Sequence, residues 1–337
     1  MNRRDFLTTT AGAAAATATL QGCSSPDEVE IIRPDGVPVG PFGVDSTAEE
    51  VTAGIDLSGM TALVTGCNSG LGYESMRVLS LRGATVIGAA RTLEKAETAC
   101  ETIPGNTYPV SCELSDLDSI NQCAAAAREI GRPIDILMLN AGIMRLPELQ
   151  QVNGIERQFF VNHIGHFALA RQVMDLVEQA PAGRVVVLSS SGHISAPEAG
   201  IEFDNLSGAR DYDPWKMYGQ SKLANGLFAF ELARRLEGTN ATANAIHPGI
   251  INTNLGRHFP AWQRIAASLI GWTFMKNVEE GAATQCYVAT APQIAGVGGY
   301  YFSDCNPQLP DPRMNDQALA EQLWAVSEEI VEGRYQA

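Results

Sequence analysis

The sequence is poor in basic residues: 23 Lys and Arg stand against 38 Asp and Glu, which gives a formal net charge of −15. No run of the chain gathers Lys and Arg into a basic stripe. Proteins that bind nucleic acid need such clusters, because release of counterions from the phosphates supplies much of their affinity. We therefore expect no nucleic-acid partner.

Motifs for several other chemistries are also missing. The seven cysteines show neither a CxxC motif nor a Cys/His ligand spacing, so a zinc site or a disulfide framework is not indicated. His163 and His166 lack the glutamate of HExxH, and Ser189–Ser191 near His193 lacks a GxSxG elbow. We expect no metal site, and a Ser-His-Asp hydrolase is disfavoured. Six of the cysteines are interpreted as core or incidental thiols: Cys67, Cys100, Cys112, Cys123, Cys286 and Cys305.

The chain begins with a short basic head and an Ala- and Thr-rich stretch that runs to Leu20. About 14 such residues are too short and too polar to cross a hydrocarbon core of ~30 Å, so residues 1–22 are predicted to be a signal peptide. Arg3-Arg4 before Phe-Leu resembles the twin-arginine export motif, and Leu20-Gln21-Gly22-Cys23 resembles a lipobox. We expect export by the twin-arginine route and a lipid anchor at Cys23 on the periplasmic side of a bacterial membrane. The alternative is an ordinary secretory signal with a chance thiol.

Residues 23–56 are rich in proline, glycine and acidic side chains. This composition predicts a lipid-anchored tether that leads into an N-terminal arm covering the body. After residue 56 the sequence shows no internal repeat and no second domain boundary. Residues 57–337 are therefore predicted to form one domain.

Within residues 57–337, short apolar runs alternate with amphipathic helical segments. Nearly continuous apolar strands separated by helices indicate a parallel sheet covered on both faces. We predict the α/β class: a single doubly wound (Rossmann) domain with a seven-stranded parallel sheet. The predicted strands are Met60–Thr65, Thr85–Ala89, Thr107–Cys112, Ile134–Asn140, Arg184–Ser190, Ala241–His247 and Gly299–Phe302. Examples of the amphipathic helical segments between them are Leu71–Arg82, Ser115–Ile130, Phe167–Gln179 and Tyr218–Leu236.

A glycine-rich turn follows the first predicted strand. Glycines in such a turn let the backbone approach a pyrophosphate, and the helix N-terminus that follows supplies amide donors and a positive dipole. Asn140-Ala141-Gly142 ends the fourth strand at the same edge of the sheet, where a wall against the adenosine ribose is expected. The turn contributes Gly66, Asn68, Ser69, Gly70, Leu71 and Gly72 as candidate cofactor-binding residues.

The second strand leads to Ala89-Ala90-Arg91, where an NAD-specific enzyme usually places a carboxylate against the ribose 2′-hydroxyl. Here the side chain at that position is uncharged and the guanidinium of Arg91 follows it. This pair of residues favours binding of a ribose 2′-phosphate. We predict NADP(H) in preference to NAD(H). The alternative is that Arg91 is only a solvated residue at a helix start.

Tyr218 and Lys222 are four residues apart on a predicted helix and therefore share one face. A phenol beside an ammonium can serve as the acid or base of carbonyl–alcohol interconversion if its pKa falls from ~10 towards neutrality. A predicted strand delivers Ser189-Ser190-Ser191 to the same sheet edge, where a hydroxyl can orient a carbonyl. Tyr and Lys at this spacing alone are common on solvated helices, so the prediction depends on the other motifs.

In this order the motifs resemble those of the short-chain dehydrogenase/reductase family over about residues 57–331. The chain looks most like the branch of the retinol dehydrogenases and WW-domain oxidoreductases. The runs that carry this resemblance are Val161–Phe167, Ser221–Asn225, His247–Gly249 and Tyr301–Asp304.

The resemblance implies a role for each matching residue. Tyr218 would be the acid or base, Lys222 would hold the nicotinamide ribose and lower the tyrosine pKa, and Ser190 would orient the carbonyl. Asn162 would support a water-linked proton relay. The nicotinamide end would be contacted by Pro248, Gly249, Ile251 and Thr253, and the adenine side by Glu113 and Leu114. Two positions depart from the family pattern, since Glu113 replaces an aspartate and Leu139 replaces an asparagine.

An alcohol or carbonyl substrate follows from this resemblance, and the apolar segment 258–275 after the nicotinamide-side turn predicts that it is lipophilic. The rival hypothesis is a catalytically silent nucleotide-binding scaffold or sensor on the same fold. Other partners are a membrane, through Cys23, and possible further copies of the chain in a homo-oligomer.

Overall fold

The computed structural model describes residues 34–251 and 276–335. Four predictions fall outside the described residues: the signal peptide, the lipid anchor at Cys23, the cofactor contact of Thr253 and the apolar segment 258–275. The first part of the predicted tether, residues 23–33, lies outside them as well.

A mixed sheet of eight strands forms the centre of the described residues, in the order β10-β9-β8-β7-β4-β1-β2-β3. Every neighbouring pair is parallel except β9 and β10. A separate two-stranded hairpin joins β5 to β6. The strands are β1 Thr61–Thr65, β2 Thr85–Ala90, β3 Thr107–Ser111, β4 Ile136–Leu139, β5 Gln151–Val152, β6 Ile155–Glu156, β7 Arg184–Leu188, β8 Thr242–His247, β9 Tyr301–Ser303 and β10 Asn306–Gln308.

The predicted Rossmann class is confirmed, while the predicted seven parallel strands become seven plus one antiparallel edge strand. The extra strand arises from a tight hairpin in which Asn306 pairs with Ser303. Its two loop residues, Asp304 and Cys305, both have positive φ, of 50° and 61°. A two-residue loop of this type usually contains glycine or asparagine, so Asp-Cys gives little sequence signal for the turn.

Helices cover both faces of the sheet. On one face a one-turn helix continues through the π-helical segment Phe160–Ile164 into a longer helix. The helices are α1 Ala48–Val51, α2 Gly70–Leu81, α3 Leu93–Glu101, α4 Leu117–Glu129, α5 Arg157–Phe159, α6 Gly165–Glu178, α7 Pro214–Arg235, α8 Val278–Thr290 and α9 Gln317–Val331. Among the described residues, no helix has the length and hydrophobicity needed to cross a bilayer.

Alternating side chains of the central strands pack into two separate hydrophobic cores, one on each face of the sheet. On β1, Leu63 packs in the core shared with α6, α7 and α9, whereas Ala62 and Val64 pack in the core shared with α2 and α8. This period of two is the geometry of an extended strand with both faces covered. The two cores fix the sheet, so the carboxyl ends of its parallel strands form one stable edge.

The described part of the N-terminal arm packs against the body. Helix α1 begins with a capping box between Thr47 and Glu50. The carboxylate of Glu49 lies 2.6 Å from the Arg77 guanidinium on α2. Near the edge strand, the Asn306 side chain donates a hydrogen bond of 2.8 Å to the carbonyl of Phe42.

Candidate active site

A cleft of about 440 Å³ opens at the carboxyl edge of the parallel strands. It lies beside the glycine turn after β1 and the loop after β4. Open α/β sheets bind ligands in this position. Its lining includes Thr65, Gly66, Asn68, Ser69, Gly70, Leu71, Arg91, Cys112, Glu113, Leu114, Asn140, Ala141, Gly142, Ile143, Met144, Arg157, Val161, Leu188 and Val278.

The glycine turn brings backbone close to backbone. Gly66 has φ of +72°, and its amide donates a hydrogen bond of 2.8 Å to the carbonyl of Ala89 on β2. A Cβ on Gly72 would lie 2.3 Å from the Gly66 carbonyl oxygen, so no larger residue fits there without a backbone shift. Helix α2 begins at Gly70, and its first amides have no partner within the helix. The turn therefore has the form of an anion cradle.

Asn140 forms the opposite wall of the cleft. Its side-chain amide donates to the carbonyl of Thr65 at 2.8 Å, and the Thr65 hydroxyl accepts bonds from the backbone amides of Asn140 and Ala141. The Asn140 Oδ1 atom is buried and has no hydrogen-bond partner among the described residues. Buried acceptors are nearly always satisfied, so this oxygen fits a donor on a bound molecule, such as a ribose hydroxyl.

Arg91 lies at the rim of the cleft with about half of its side chain exposed, and its Nε atom is 3.9 Å from the Glu113 carboxylate. Glu113 is held in turn by Ser115, whose hydroxyl and backbone amide donate at 2.8 and 3.1 Å. An exposed pair at this distance contributes little stability. The guanidinium thus needs little energy to turn towards an anionic ligand in the cleft.

Lys222 and Ser190 connect the cleft to Tyr218. The Lys222 ammonium donates to the carbonyl of Leu188, a residue of the cleft wall, at 2.9 Å and lies 5.8 Å from the centre of the Tyr218 ring. Ser190 Oγ accepts a bond of 3.1 Å from the amide of Gly192. A Cβ on Gly192 would be 2.9 Å from the Tyr218 ring, so the ring packs directly on the serine turn. The structure brings the three predicted side chains together.

Burial changes the protonation of this group. Burial raises the pKa of Tyr218, although a hydrogen bond with Ser190 lowers this pKa in part. Burial also lowers the pKa of Lys222 to about 7. Both shifts favour the neutral forms because desolvation disfavours charge. They run against the predicted lowering of the tyrosine pKa by Lys222, whose ammonium bonds the Leu188 carbonyl instead.

Asn162 lies in the π-helical segment and its amide group joins three parts of the chain. Its Nδ2 atom donates to the Ile143 carbonyl and to the Ser221 hydroxyl, both at 2.9 Å, and its Oδ1 atom accepts from the Ile143 amide at 2.8 Å. The amide is thus fully engaged with protein groups. These contacts position the loop after β4 against α7.

The remaining predicted cofactor residues follow β8. Ile251 pairs in an isolated bridge with Lys276, and the Lys276 side chain runs within 2.7 Å of where a Cβ of Gly249 would lie. The Lys276 ammonium pairs with Asp304 at 2.6 Å. Pro248, Gly249 and Ile251 therefore sit at the carboxyl edge of the sheet, where their contact with the nicotinamide end stays a prediction.

Two buried histidines outside the catalytic prediction, His163 and His166, pair with hydroxyl groups. His163 Nε2 lies 2.8 Å from Ser327 Oγ, and His166 Nε2 lies 2.9 Å from Thr65 Oγ1. Burial lowers their pKa values to about 3 and about 4, respectively, so both stay neutral. Their contacts connect α9 and β1 to the helix that carries Asn162.

Trp215 beside Tyr218, and Arg145 beside Trp215, are not among the residues predicted from the sequence. The Trp215 ring stacks on the Tyr218 ring with centres 5.5 Å apart and planes at 23°. The Arg145 guanidinium lies 5.6 Å from the centre of the Trp215 ring. Trp215 precedes Tyr218 by one helical turn, a spacing that signals this contact, but the sequence pattern predicts that α7 begins only at Tyr218. It begins at Pro214, capped by Asp213.

Comparison with known proteins gives a consistent result. A family model described as short chain dehydrogenase matches residues 60–264. The short-chain dehydrogenase TIC 32 B of Brassica napus is 42% identical, over 86% of this chain and 94% of that protein. Human retinol dehydrogenase 14 is 38% identical, over 82% and 86%. The human WW domain-containing oxidoreductase is 35% identical, over 86% and 72%.

Solved structures show the same likeness. A crystal structure of an uncharacterized protein from Mycobacterium Paratuberculosis has a TM-score of 0.68 and 32% identity, and the match covers 84% of this chain and 97% of that one. The Pseudomonas aeruginosa RhlG/NADP active-site complex has a TM-score of 0.57 and 25% identity, over 74% and 96%. The resemblance predicted from the motifs, including its branch, is confirmed by these matches.

Proposed function

Because this chain belongs to the short-chain dehydrogenase/reductase family, we propose that it is an oxidoreductase that interconverts a lipophilic alcohol and its carbonyl compound with NADP(H). The observation that carries the proposal is the packing of Tyr218 on the Ser190 turn, with Lys222 between them and the cleft. A pure nucleotide binder has no need for this group beside its cleft.

The residues of the cleft fit a dinucleotide. The glycine turn and the first amides of α2 would hold the pyrophosphate, and the unpaired Asn140 Oδ1 would accept from a ribose hydroxyl. Arg91 supports NADP(H) over NAD(H), because its guanidinium at the rim suits a 2′-phosphate. A relative of known structure is a complex with NADP. When bound, the dinucleotide supplies the hydride.

Tyr218 would supply the proton in the direction of carbonyl reduction. Burial raises its pKa, so the phenol stays protonated and can donate to the carbonyl oxygen. Ser190 Oγ would hold that oxygen by a second hydrogen bond. Lys222, whose pKa burial lowers to about 7, would gain its charge most readily when anionic or hydroxyl groups of the dinucleotide lie beside it.

An apolar substrate is supported by large hydrophobic side chains that are exposed around this group. Trp215 stacks on Tyr218, Ile194 lies in the turn that Ser190 begins, and Ile250 follows the end of β8. Between 41% and 65% of each of these three residues is exposed. Exposed apolar side chains that gather at one place mark surfaces that bind an apolar molecule or a partner.

The test is a screen of carbonyl compounds with the purified protein and NADPH. We expect reduction of apolar ketones or aldehydes, and loss of at least about 100-fold in kcat for Tyr218→Phe, since the positioned proton donor is removed. Tyr108→Phe on the exposed face of β3 is the matched control and should keep full activity.

Two outcomes would contradict the proposal. Nucleotide binding without turnover of any carbonyl compound would indicate the catalytically silent scaffold, and a preference for small polar sugars would contradict the lipophilic substrate.

We further propose that the protein is exported by the twin-arginine route and anchored through Cys23, with its cofactor loaded before export. The support is the sequence motif Arg3-Arg4 and the lipobox-like run before Cys23. Twin-arginine export moves folded proteins, so a bound nucleotide can travel with them. Labelling with a fatty acid should require Cys23 and be lost in Cys23→Ser, and mature protein purified without nucleotide and with only weak affinity for it would contradict the loading step.

A further inference from the structure

Arg313 lies between β10 and α9 and uses all five of its N–H groups. Nε and one Nη2 hydrogen bind the two carboxylate oxygens of Asp311, each at 2.8 Å. The second Nη2 hydrogen reaches the Ile194 carbonyl at 3.0 Å. Nη1 donates to the carbonyls of Ala196 and Pro197 at 3.1 and 2.5 Å. A planar guanidinium satisfied at every donor fixes the groups around it in one geometry.

His193 links the same segment to Ser190. Its Nε2 atom accepts a bond of 3.2 Å from the Asp311 backbone amide, so the ring proton is on Nδ1. Nδ1 then donates to the Ser190 carbonyl at 2.5 Å. Burial lowers the pKa of His193, which keeps the ring in the neutral form that these two bonds require.

Asp311 and Arg313 form a clamp on the turn Ser191–Ser195, which Ser190 begins. At the start of the turn the Asp311 amide bonds His193, whose ring binds the Ser190 carbonyl, and just beyond its end the Arg313 guanidinium binds the carbonyls of Ala196 and Pro197. Tyr218 packs on Gly192 in the middle. Displacement of the turn would therefore move the serine hydroxyl relative to the tyrosine ring.

We propose that Asp311 and Arg313 are positioning residues for the reaction: they set the distance between Ser190 Oγ and Tyr218 from a segment 116 to 119 positions away in the chain. The inference rests on the proposed function. Beyond Asp311, the Arg313 side chain bonds only the carbonyls of Ile194, Ala196 and Pro197 among the described residues, and none of these is a predicted cofactor-binding residue, so the nucleotide should bind normally when the clamp is broken.

The experiment is a double-mutant cycle between Arg313 and Ser190, measured as kcat with the best apolar carbonyl. Arg313→Gln and the milder Arg313→Lys should each lower kcat by about 10- to 100-fold, the usual cost of a small misplacement of a reacting group. Either change should cost far less in a Ser190→Ala background, because the group that it misplaces is then gone. NADPH affinity, measured by nucleotide fluorescence, should change less than about 2-fold, within ordinary mutational variation.

Arg210→Gln, an exposed arginine paired with Asp204, is the matched control and should leave kcat unchanged. If Arg313→Gln does not fold, Arg313→Lys decides the question, since it keeps a cation beside Asp311. Equal losses of kcat in the presence and in the absence of the Ser190 hydroxyl would overturn the positioning role and leave the proposed function standing. Absence of turnover by the wild-type protein would overturn both.

Discussion

At the scale of single residues, the site combines groups whose charge is suppressed by burial with the exposed guanidinium of Arg91. Tyr218 and Lys222 are buried, and desolvation moves their pKa values in opposite directions, towards the neutral forms. Arg91 keeps about half of its side chain in solvent. The buried pair suits proton transfer, whereas the exposed guanidinium suits recognition of an anionic group without a large desolvation cost.

The Arg91 side chain gives the first residue-scale prediction. Arg91→Ala should raise KM for NADPH by about 10- to 100-fold, because a hydrogen bond to a charged group contributes about 1.5–3 kcal/mol. KM for NADH should change little, since that cofactor lacks the 2′-phosphate. Initial rates with both cofactors measure the difference.

Lys95→Ala is the control for a general loss of positive charge, because Lys95 is exposed on the neighbouring helix α3. It should leave both KM values unchanged. An equal rise for NADPH and NADH in Arg91→Ala would show that Arg91 does not select the 2′-phosphate.

At the scale of elements, the π-helical segment Phe160–Ile164 is the point where three parts of the site meet. An extra residue in a helical turn re-aims the side chains around it, and such segments are frequent at functional sites. Here it places Asn162 against Ile143 in the loop after β4 and Ser221 on α7. This side-chain amide therefore helps to set the spacing between the loop after β4 and the helix that carries Tyr218.

Asn162→Ala should lower the free energy of unfolding by about 1–3 kcal/mol, because the backbone N–H and C=O of Ile143 lose their partner. Denaturant unfolding measures the change. It should also lower kcat, since the loop and the helix lose their common support. Asn121→Ala, which removes an exposed amide bonded to Gln172, is the control and should alter neither quantity. Unchanged stability in Asn162→Ala would contradict the structural role given to this amide.

Much of this element scale could be predicted from the sequence. Most of the parallel strands are short apolar runs, the glycine turn follows the first of them, and Tyr218 lies on a helix that the sequence pattern predicts. The hairpin loop Asp304-Cys305 could not be predicted, because its residues are unusual at positive φ. Arg313 could not be assigned either, since its partners lie 116 to 119 positions away and only the folded chain brings them together.

At the scale of the whole molecule, the described arm belongs to the folded body. The composition of residues 23–56 predicts a tether leading into a covering arm, and from Val37 onwards the arm buries apolar side chains against α2 and α8. Val37, Ala48 and Val51 are each at most 8% exposed. The Phe42 ring packs edge-on against Tyr287 of α8, with centres 5.9 Å apart. The covering part of the arm thus extends at least from Val37 to Val51.

This packing makes the arm a stabilising part of the domain, which truncation can measure. A chain that starts at residue 54 should melt several degrees below a chain that starts at residue 34. Burial of one valine side chain contributes about 1.5–3 kcal/mol. A loss of about 1 kcal/mol in turn lowers Tm by about 2–4 °C in a domain of this size. Loss of the Glu49–Arg77 ion pair should add little to this destabilisation, since the Arg77 guanidinium keeps Glu74 at 2.7 Å.

The chain that starts at residue 34 is the matched control. It should have the same Tm as the full-length protein if the stabilising contacts of the arm all lie after residue 34. Equal melting of both truncated chains would mean that the arm contributes no stability, in which case the contacts of Phe42 and Val51 only cover surface that is stable without them.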